Sequence, residues 1–335
     1  MRVDELRKTL EQYDAATLKE IVVSLYKTIP KGKKEEIGVD ALLLNFKEEK
    51  AKGQKRDLPV DFEALKKQIE KFISCAGSQY YLEPNRFVSK EQRSKWRFEV
   101  KRFIKTLAGI GGENSEEAAR LLADVYAMLC YACDYYTFNT ENPFSAVGHK
   151  QPELLRLVLG KIFLGGYSPQ NIKTAVFLTL DSNTDYDTFH IELIYELIGL
   201  LKTPDAKELA AQHCAAFPKE YAVYQGAKEA FRYPRSDKYR QECHADYAVE
   251  LYMLLKFSLH EYDDGIAYYW KIYQDSDQKK ALYHLLELLD FEDLESLWLR
   301  EYEKAVANGF VPNAEFQEEY AMKKAEQADG NNNGS

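Results

Sequence analysis

Cysteine and histidine are the residue types here that invite metal or covalent chemistry, and they fall into three groupings. Cys130-x-x-Cys133 comes first, followed by the doublets His213-Cys214 and Cys243-His244. Thiolate and imidazole ligands could hold tetrahedral zinc, but such sites use two paired spacings and this chain has one. A lone Cys-x-x-Cys in a helical run reads as two small side chains facing a core. Nucleophilic catalysis needs a Ser or Cys beside a His and an orienting acid, and no nucleophile elbow or His-Glu-x-x-His run supplies them. Gly109-Ile110-Gly111-Gly112 follows no strand, so it reads as a helix break, not a phosphate cradle. Asp263-Asp264 stands at a helix start, where paired acids offset the dipole and cap. No catalytic residue, metal or cofactor is therefore expected.

Two other groupings suit recognition. In residues 245–302, Glu261-Tyr262-Asp263-Asp264 and Asp290-Phe291-Glu292-Asp293 each read as an acidic helix start holding one aromatic. Tyr269, Lys271 and Tyr273 then match Trp298, Arg300 and Tyr302, each pair 29 residues apart. Tyr252, Tyr262, Tyr268, Tyr269, Trp270, Tyr273 and Trp298 are candidate anchors for a protein partner. Asp263, Asp264, Glu292 and Asp293 around them would select a basic one. The second grouping is a basic helix over 86–105. Arg93, Lys95, Arg97, Lys101 and Arg102 are its candidate phosphate contacts, and Trp96 a candidate base-stacker. Trp96 shares a helical face with Val100, Phe103 and Leu107, which argues that its ring faces the core.

The elements that must position these residues are helical. Seventeen Gly and ten Pro leave little punctuation for many short strands. Leu18, Ile21, Val22 and Leu25 recur at helical spacing in a helix over 15–28 started by Asp14, with a preceding helix at 2–12 and a following one at 34–50. A lysine-rich linker fills 50–60. Phe62, Leu65, Ile69, Phe72 and Ile73 give the next stripe, Ser89 caps the basic helix to about Leu107, and an Asn114/Glu117 capping box starts a helix to about Phe138. Pro152, Ser168-Pro169 and Thr203-Pro204 place proline in first turns. Helices are predicted at 152–164, 169–180, 187–202, 204–216, 218–231, 237–260, 262–274, 277–289, 291–308 and 313–327, and short loops between them predict neighbours packed in chain order. The implied organisation is a basic amino-terminal region at 1–58, an α-helical repeat domain at 59–327 and a disordered tail at 328–335.

Hydrophobic content of 45% with 30% charge describes an ordinary folded chain. Net charge is −9, unevenly spread: residues 1–110 hold 24 Lys and Arg against 17 Asp and Glu, the remainder 21 against 37. The asymmetry suggests two surfaces of different preference. The amino terminus lacks the apolar run of a signal peptide, and Leu154 to Tyr167 is too short to span a bilayer, so no membrane partner is expected. Five cysteines make no disulfide framework, which points to the cytoplasm.

Leu259, Tyr262, Gly265 and Tyr269 resemble the Leu, Tyr, Ala and Tyr/Phe positions of tetratricopeptide-type helical repeats. That family repeats every thirty-four residues, and Met253 stands where it carries a small residue. The resemblance covers about 245–302 and implies a binding scaffold with a concave face. At 14–43, Leu18-Lys19, Ile21 and Gly32-Lys33-Lys34-Glu35-Glu36-Ile37 resemble a SAP motif, a DNA-binding helix-loop-helix, with a longer loop and Gly38 in the second helix. Arg240 and His244 stand too close for the Arg…His spacing of HEPN-type ribonucleases. The resulting expectation is an all-α protein of helical hairpins stacked as an irregular α-solenoid, binding a protein partner. The alternative is nucleic-acid binding through 1–110.

Overall fold

The computed structural model describes residues 8–30, 34, 39–44, 61–227 and 238–332. Among them every regular element is helical: fifteen α-helices and one 3-10 turn, with no strand. Contacts divide the chain between Leu65 and Lys66 into two compact units.

In the first unit, α1 (Ala15–Thr28) starts where the Asp14 carboxylate accepts the Thr17 N–H at 2.8 Å. The Tyr26 hydroxyl donates to Asp40 in α2 (Val39–Leu44) at 2.8 Å. The stripe on α1 forms a helix face but not a core, since Val22 and Leu25 are exposed. The predicted helices 2–12 and 34–50 lie partly, and the linker 50–60 wholly, outside the described residues, as do Gly32, Lys33 and Glu35–Gly38 of the SAP-like segment. Helix α3 (Phe62–Gly77) begins in this unit and continues into the second.

The second unit continues with α4 (Lys90–Gly109), α5 (Ser115–Asp134), a one-turn α6 (Pro143–Ala146), α7 (Gln151–Phe163), α8 (Pro169–Leu180) and α9 (His190–Leu200). There follow α10 (Pro204–Ala227), α11 (Lys238–Phe257), α12 (Tyr262–Ile272), α13 (Gln278–Phe291), α14 (Glu295–Ala307) and α15 (Ala314–Asn332). Local chemistry sets the starts. The Ser89 hydroxyl accepts the Gln92 N–H while the Gln92 carbonyl oxygen accepts the Ser89 N–H, a complete capping box. Ser168 caps α8 ahead of Pro169 with a single bond, its hydroxyl accepting the Asn171 N–H at 3.1 Å. Three predicted details differ. Asn114 caps nothing, because it closes the 3-10 turn Gly112–Asn114, and Glu117 is taken by Arg120 and Lys66. Pro218 does not break the chain into two helices; it lies inside α10, the part of the predicted 218–231 helix beyond Ala227 reaching outside the described residues. Helix α5 stops at Asp134, and the chain turns so that Phe138 stacks on Trp96, rings 3.9 Å apart and 9° from parallel.

Helices pack against elements one to three places away in the chain. Neighbours α10 and α11, α11 and α12, and α13 and α14 lie against each other, and α5 with α7, α7 with α9, and α8 with α10 pack one element removed. Buried polar groups fix the corners. Lys161 on α7 donates to the carbonyl oxygens of Ala108 and Ile110, closing the end of α4. Lys256 on α11, itself buried, bridges Glu208 and Glu261 at 2.6 and 2.8 Å and so ties α10 to the start of α12. The first half of the loop between α8 and α9 runs inside, Ser182, Asn183 and Asp185 being buried, whereas Tyr186 and Phe189 are exposed. The Gln151 side chain donates to the Asn183 carbonyl at 2.8 Å and accepts the Asp185 N–H at 2.9 Å, which satisfies a backbone that loops normally leave to water.

The two carboxy-terminal hairpins share a turn, at a spacing other than the predicted 29. His260 and Asp293, 33 residues apart, both take left-handed φ, +61° and +55°. The next N–H returns to the helix behind it at 2.9 Å in each turn, Glu261 to Lys256 and Leu294 to Leu289. Glu261 and Leu294 then open α12 and α14 with φ/ψ of −97°/54° and −94°/55°. Pairing at 29 residues instead sets Tyr262, the first residue of α12, against Phe291, the last of α13. The acidic tetrapeptides matched in composition while sitting in different parts of the turn.

Candidate binding groove

Asp263, Ile266, Ala267 and Trp270 recur at i, i+3, i+4 and i+7 on α12. Glu301, Lys304, Ala305 and Asn308 do the same on α14. The two stripes face each other across a groove of about 840 Å³, with Leu282 of α13 and Phe310 beyond α14 completing the wall. Its width follows from the small residues Ala267 and Ala305 at matching places in the two stripes. Ile266 and Leu282 are buried and form its floor, whereas Trp270 is half-buried and leaves part of its ring in the opening.

One buried carboxylate organises the polar side. Glu301 is 3% exposed. It accepts the Trp270 indole N–H at 3.1 Å and the Arg300 Nε–H at 3.1 Å, and Lys304 stands 3.6 Å away. Burying a carboxylate is costly unless donors replace the lost water, and these donors come from both walls. Arg300 also reaches Asp263 at 2.6 Å, a second link between α12 and α14. The groove thus carries two carboxylates and two cations beside apolar floor residues, and it is close to neutral. Paired charges around an apolar floor give the groove the mix of polar and apolar groups found at ligand sites.

The predicted anchors scatter. Asp263 and Trp270 line the groove. Asp264 is exposed on α12. Tyr269 and Trp298 are core residues, 1% and 0% exposed, and cannot contact a partner. The Tyr269 hydroxyl donates to the Ala281 carbonyl at 2.7 Å, and Trp298 stacks on Tyr302. Both rings occupy seams between helices, where an aromatic buries the most surface. Tyr252 stacks on Tyr268 at 3.9 Å, and burial raises both phenols. The Tyr273 hydroxyl donates to Asp246 at 2.6 Å, and Tyr262 lines a smaller hollow with Tyr195 and Leu254. The surrounding acids are partly engaged: Tyr195 donates to Glu292 and Lys323 pairs with Asp290. Sequence reasoning missed Arg300 as a clasp, Glu301, Lys304 and the two alanines. The i, i+3, i+4, i+7 stripe on 301–308 was the signal available for them.

The basic helix is also rearranged. Trp96 is buried under Phe138 and cannot stack on a base. The Arg93 guanidinium donates to the Val88 carbonyl, Lys95 pairs with Glu91, and Arg102 donates to Gln68. Arg97 and Lys101 are exposed.

Cys130 is buried beside Gln151, and burial pushes the Cys133 thiol up, which suits inert packing residues. No group of three or more His, Cys, Asp or Glu side chains placed to hold a metal occurs among the described residues. None of the helices described is long and apolar enough to cross a membrane. No known protein family, curated protein or solved structure matches the chain.

Proposed function

We propose that the protein is a binding scaffold and not an enzyme: an irregular α-solenoid of tetratricopeptide-like hairpins whose α12–α14 groove holds a short apolar segment of a partner protein. The groove carries this reading. Its 840 Å³ fall within the range of sites that hold a ligand, and its polar groups are spent on rigidity instead of reaction. Packing among elements near in the chain and the turn recurring after 33 residues support the repeat reading, since tetratricopeptide units repeat at about 34. The near-neutral lining favours an apolar anchor over the strongly basic segment that the helix-start acids suggest. Five free cysteines fit the reducing cytoplasm.

Trp270 supplies the assay. Trp96 and Trp298 are buried, so a change in tryptophan emission on ligand binding reports Trp270. Peptides selected from a random display library on the full chain should carry one or two large apolar residues and shift that emission. Ala267→Trp, which fills the groove from an exposed position, should abolish binding while leaving thermal unfolding unchanged. Selected peptides that bind the Ala267→Trp variant equally well would sink the groove reading.

A further inference from the structure

We propose that the outer face of α4 is a binding surface for single-stranded nucleic acid. This inference is independent of the groove, since it concerns another element and another class of ligand. At 100° per residue, Lys90, Arg97, Phe98, Lys101 and Lys105 fall within about a 100° arc of the helix. All five are exposed, and Phe98 is 57% so. The two carboxylates of the helix lie off this arc or are engaged. Glu91, at its edge, is paired with Lys95, and Glu99 points to the half-buried side near Tyr81. No ion pair to Lys90, Arg97, Lys101 or Lys105 occurs among the described residues. Arg97, Lys101 and Lys105 are spaced four residues apart, so their Cα atoms repeat about every 6 Å along the helix.

The rings decide what kind of polyanion fits. Phe98 rises among the cations instead of packing inward, and its neighbour Arg97 lies 5.0 Å from the ring centre. At the amino-terminal end of the same helix Phe87, 48% exposed, stacks on Tyr80 at 4.6 Å with the planes 11° apart. An exposed phenyl ring surrounded by cations gains little from an acidic peptide or from a duplex, whose bases are already stacked. A single strand offers free base faces to the rings and phosphates to the cations. The corrected picture differs from a reading based on Trp96: the stacking ring is Phe98, about 200° around the helix and so nearly opposite the buried indole, and the cations are those with no ion pair among the described residues.

The test is fluorescence anisotropy of the full chain with labelled mixed-sequence RNA and DNA strands of about twenty nucleotides, across a salt series. Duplexes, poly-glutamate and anionic phosphatidylserine vesicles serve as competitors. Single strands should bind and should be preferred over all three. The triple variant Arg97→Glu, Lys101→Glu, Lys105→Glu should abolish binding, and Lys101→Ala alone should flatten the log–log salt slope by about 0.7. Phe98→Ala should weaken binding roughly 5- to 150-fold with the salt slope unchanged, an effect that charge alone does not produce. Lys279→Glu with Lys280→Glu, exposed on α13, should leave binding as it was. The proposal is overturned by absence of binding at low salt, or by binding that survives the triple reversal. It is equally overturned if Phe98→Ala has no effect and poly-glutamate or vesicles compete as well as single strands do.

Discussion

The imidazole of His190 is sealed between the Tyr247 ring, stacked on it at 3.6 Å, and the Thr179 carbonyl oxygen, 3.2 Å from Nε2. A carbonyl only accepts, so Nε2 carries the proton and Nδ1 is the bare nitrogen. Nδ1 is buried and meets no hydrogen-bond partner among the described residues. A second proton would place a charged N–H there with nothing to receive it. Burial, then the neighbouring His244, lower the pKa to about 3, against the partial opposing effect of the Thr179 carbonyl. The unfolded chain takes up this proton near pH 6.5 while the folded chain refuses it. The stabilisation is therefore complete above 6.5 and declines as pH falls from there toward 3. Between pH 7.5 and 5 the loss is about 2 kcal/mol. Glu250 works in the opposite sense: burial, then Asp246, raise its pKa to about 7, so its contribution is present below 4.5 and lost as pH rises through 7. Urea unfolding of wild type and His190→Gln at matched pH values isolates the histidine. The wild type should lose about 2 kcal/mol more than the variant over that interval. Parallel curves would mean that the ring is reached by solvent or finds an acceptor.

At the scale of elements, a ring from outside a helix holds the α3–α5 corner together. Phe138 is 1% exposed and lies between Trp96 at 3.9 Å, Tyr81 at 5.6 Å and Phe72 at 6.1 Å. Truncation to Ala would leave a cavity against three rings on different segments, and Phe138→Ala should cost about 3–5 kcal/mol by chemical denaturation. A cost under about 1 kcal/mol would show that the loop collapses to refill the space. This corner marks where the sequence was legible. Ser89, Ser168 and the first-turn prolines located helix starts because capping is local chemistry. Helix ends were harder: α5 stops four residues before Phe138 because burying that ring against a distant indole outweighs one more turn, and nothing near residue 138 encodes Trp96. Pro218 failed as a breaker for the same reason, with packing on both sides of α10 outweighing one lost hydrogen bond. The groove was half legible. Trp270 and Asp263 stood out by type, but a space between helices is made by what is small. Ala267 and Ala305 attract no notice until the two helices are seen side by side. Tyr269 and Trp298 misled because composition identifies an aromatic without saying which way its helix turns it.

At the scale of the second unit, the order of packing bears on how the fold fails. Packing among elements near in the chain predicts that stability is built from local units and neighbour interfaces, so damage at one end should stay there. Trp298 is the place to inflict it: fully buried in α14, stacked on Tyr302 at 5.2 Å and facing Phe316 of α15 at 6.3 Å. Trp298→Ala should remove about 3–5 kcal/mol of local packing. Amide hydrogen exchange then separates two architectures. In a serial array, protection should fall by about two to four orders of magnitude in α13, α14 and α15, and remain near wild type in α5, α7 and α8. Helix α9 sits at the boundary, because Tyr195 donates to Glu292 in the α13–α14 turn, and should show an intermediate loss. In a single cooperative core, α5 would lose as much protection as α14. That uniform loss would count against the solenoid reading, and with it against a groove formed by stacked hairpins. A graded loss from α14 toward α5 would tie the repeated turn at His260 and Asp293 to an independently stable unit.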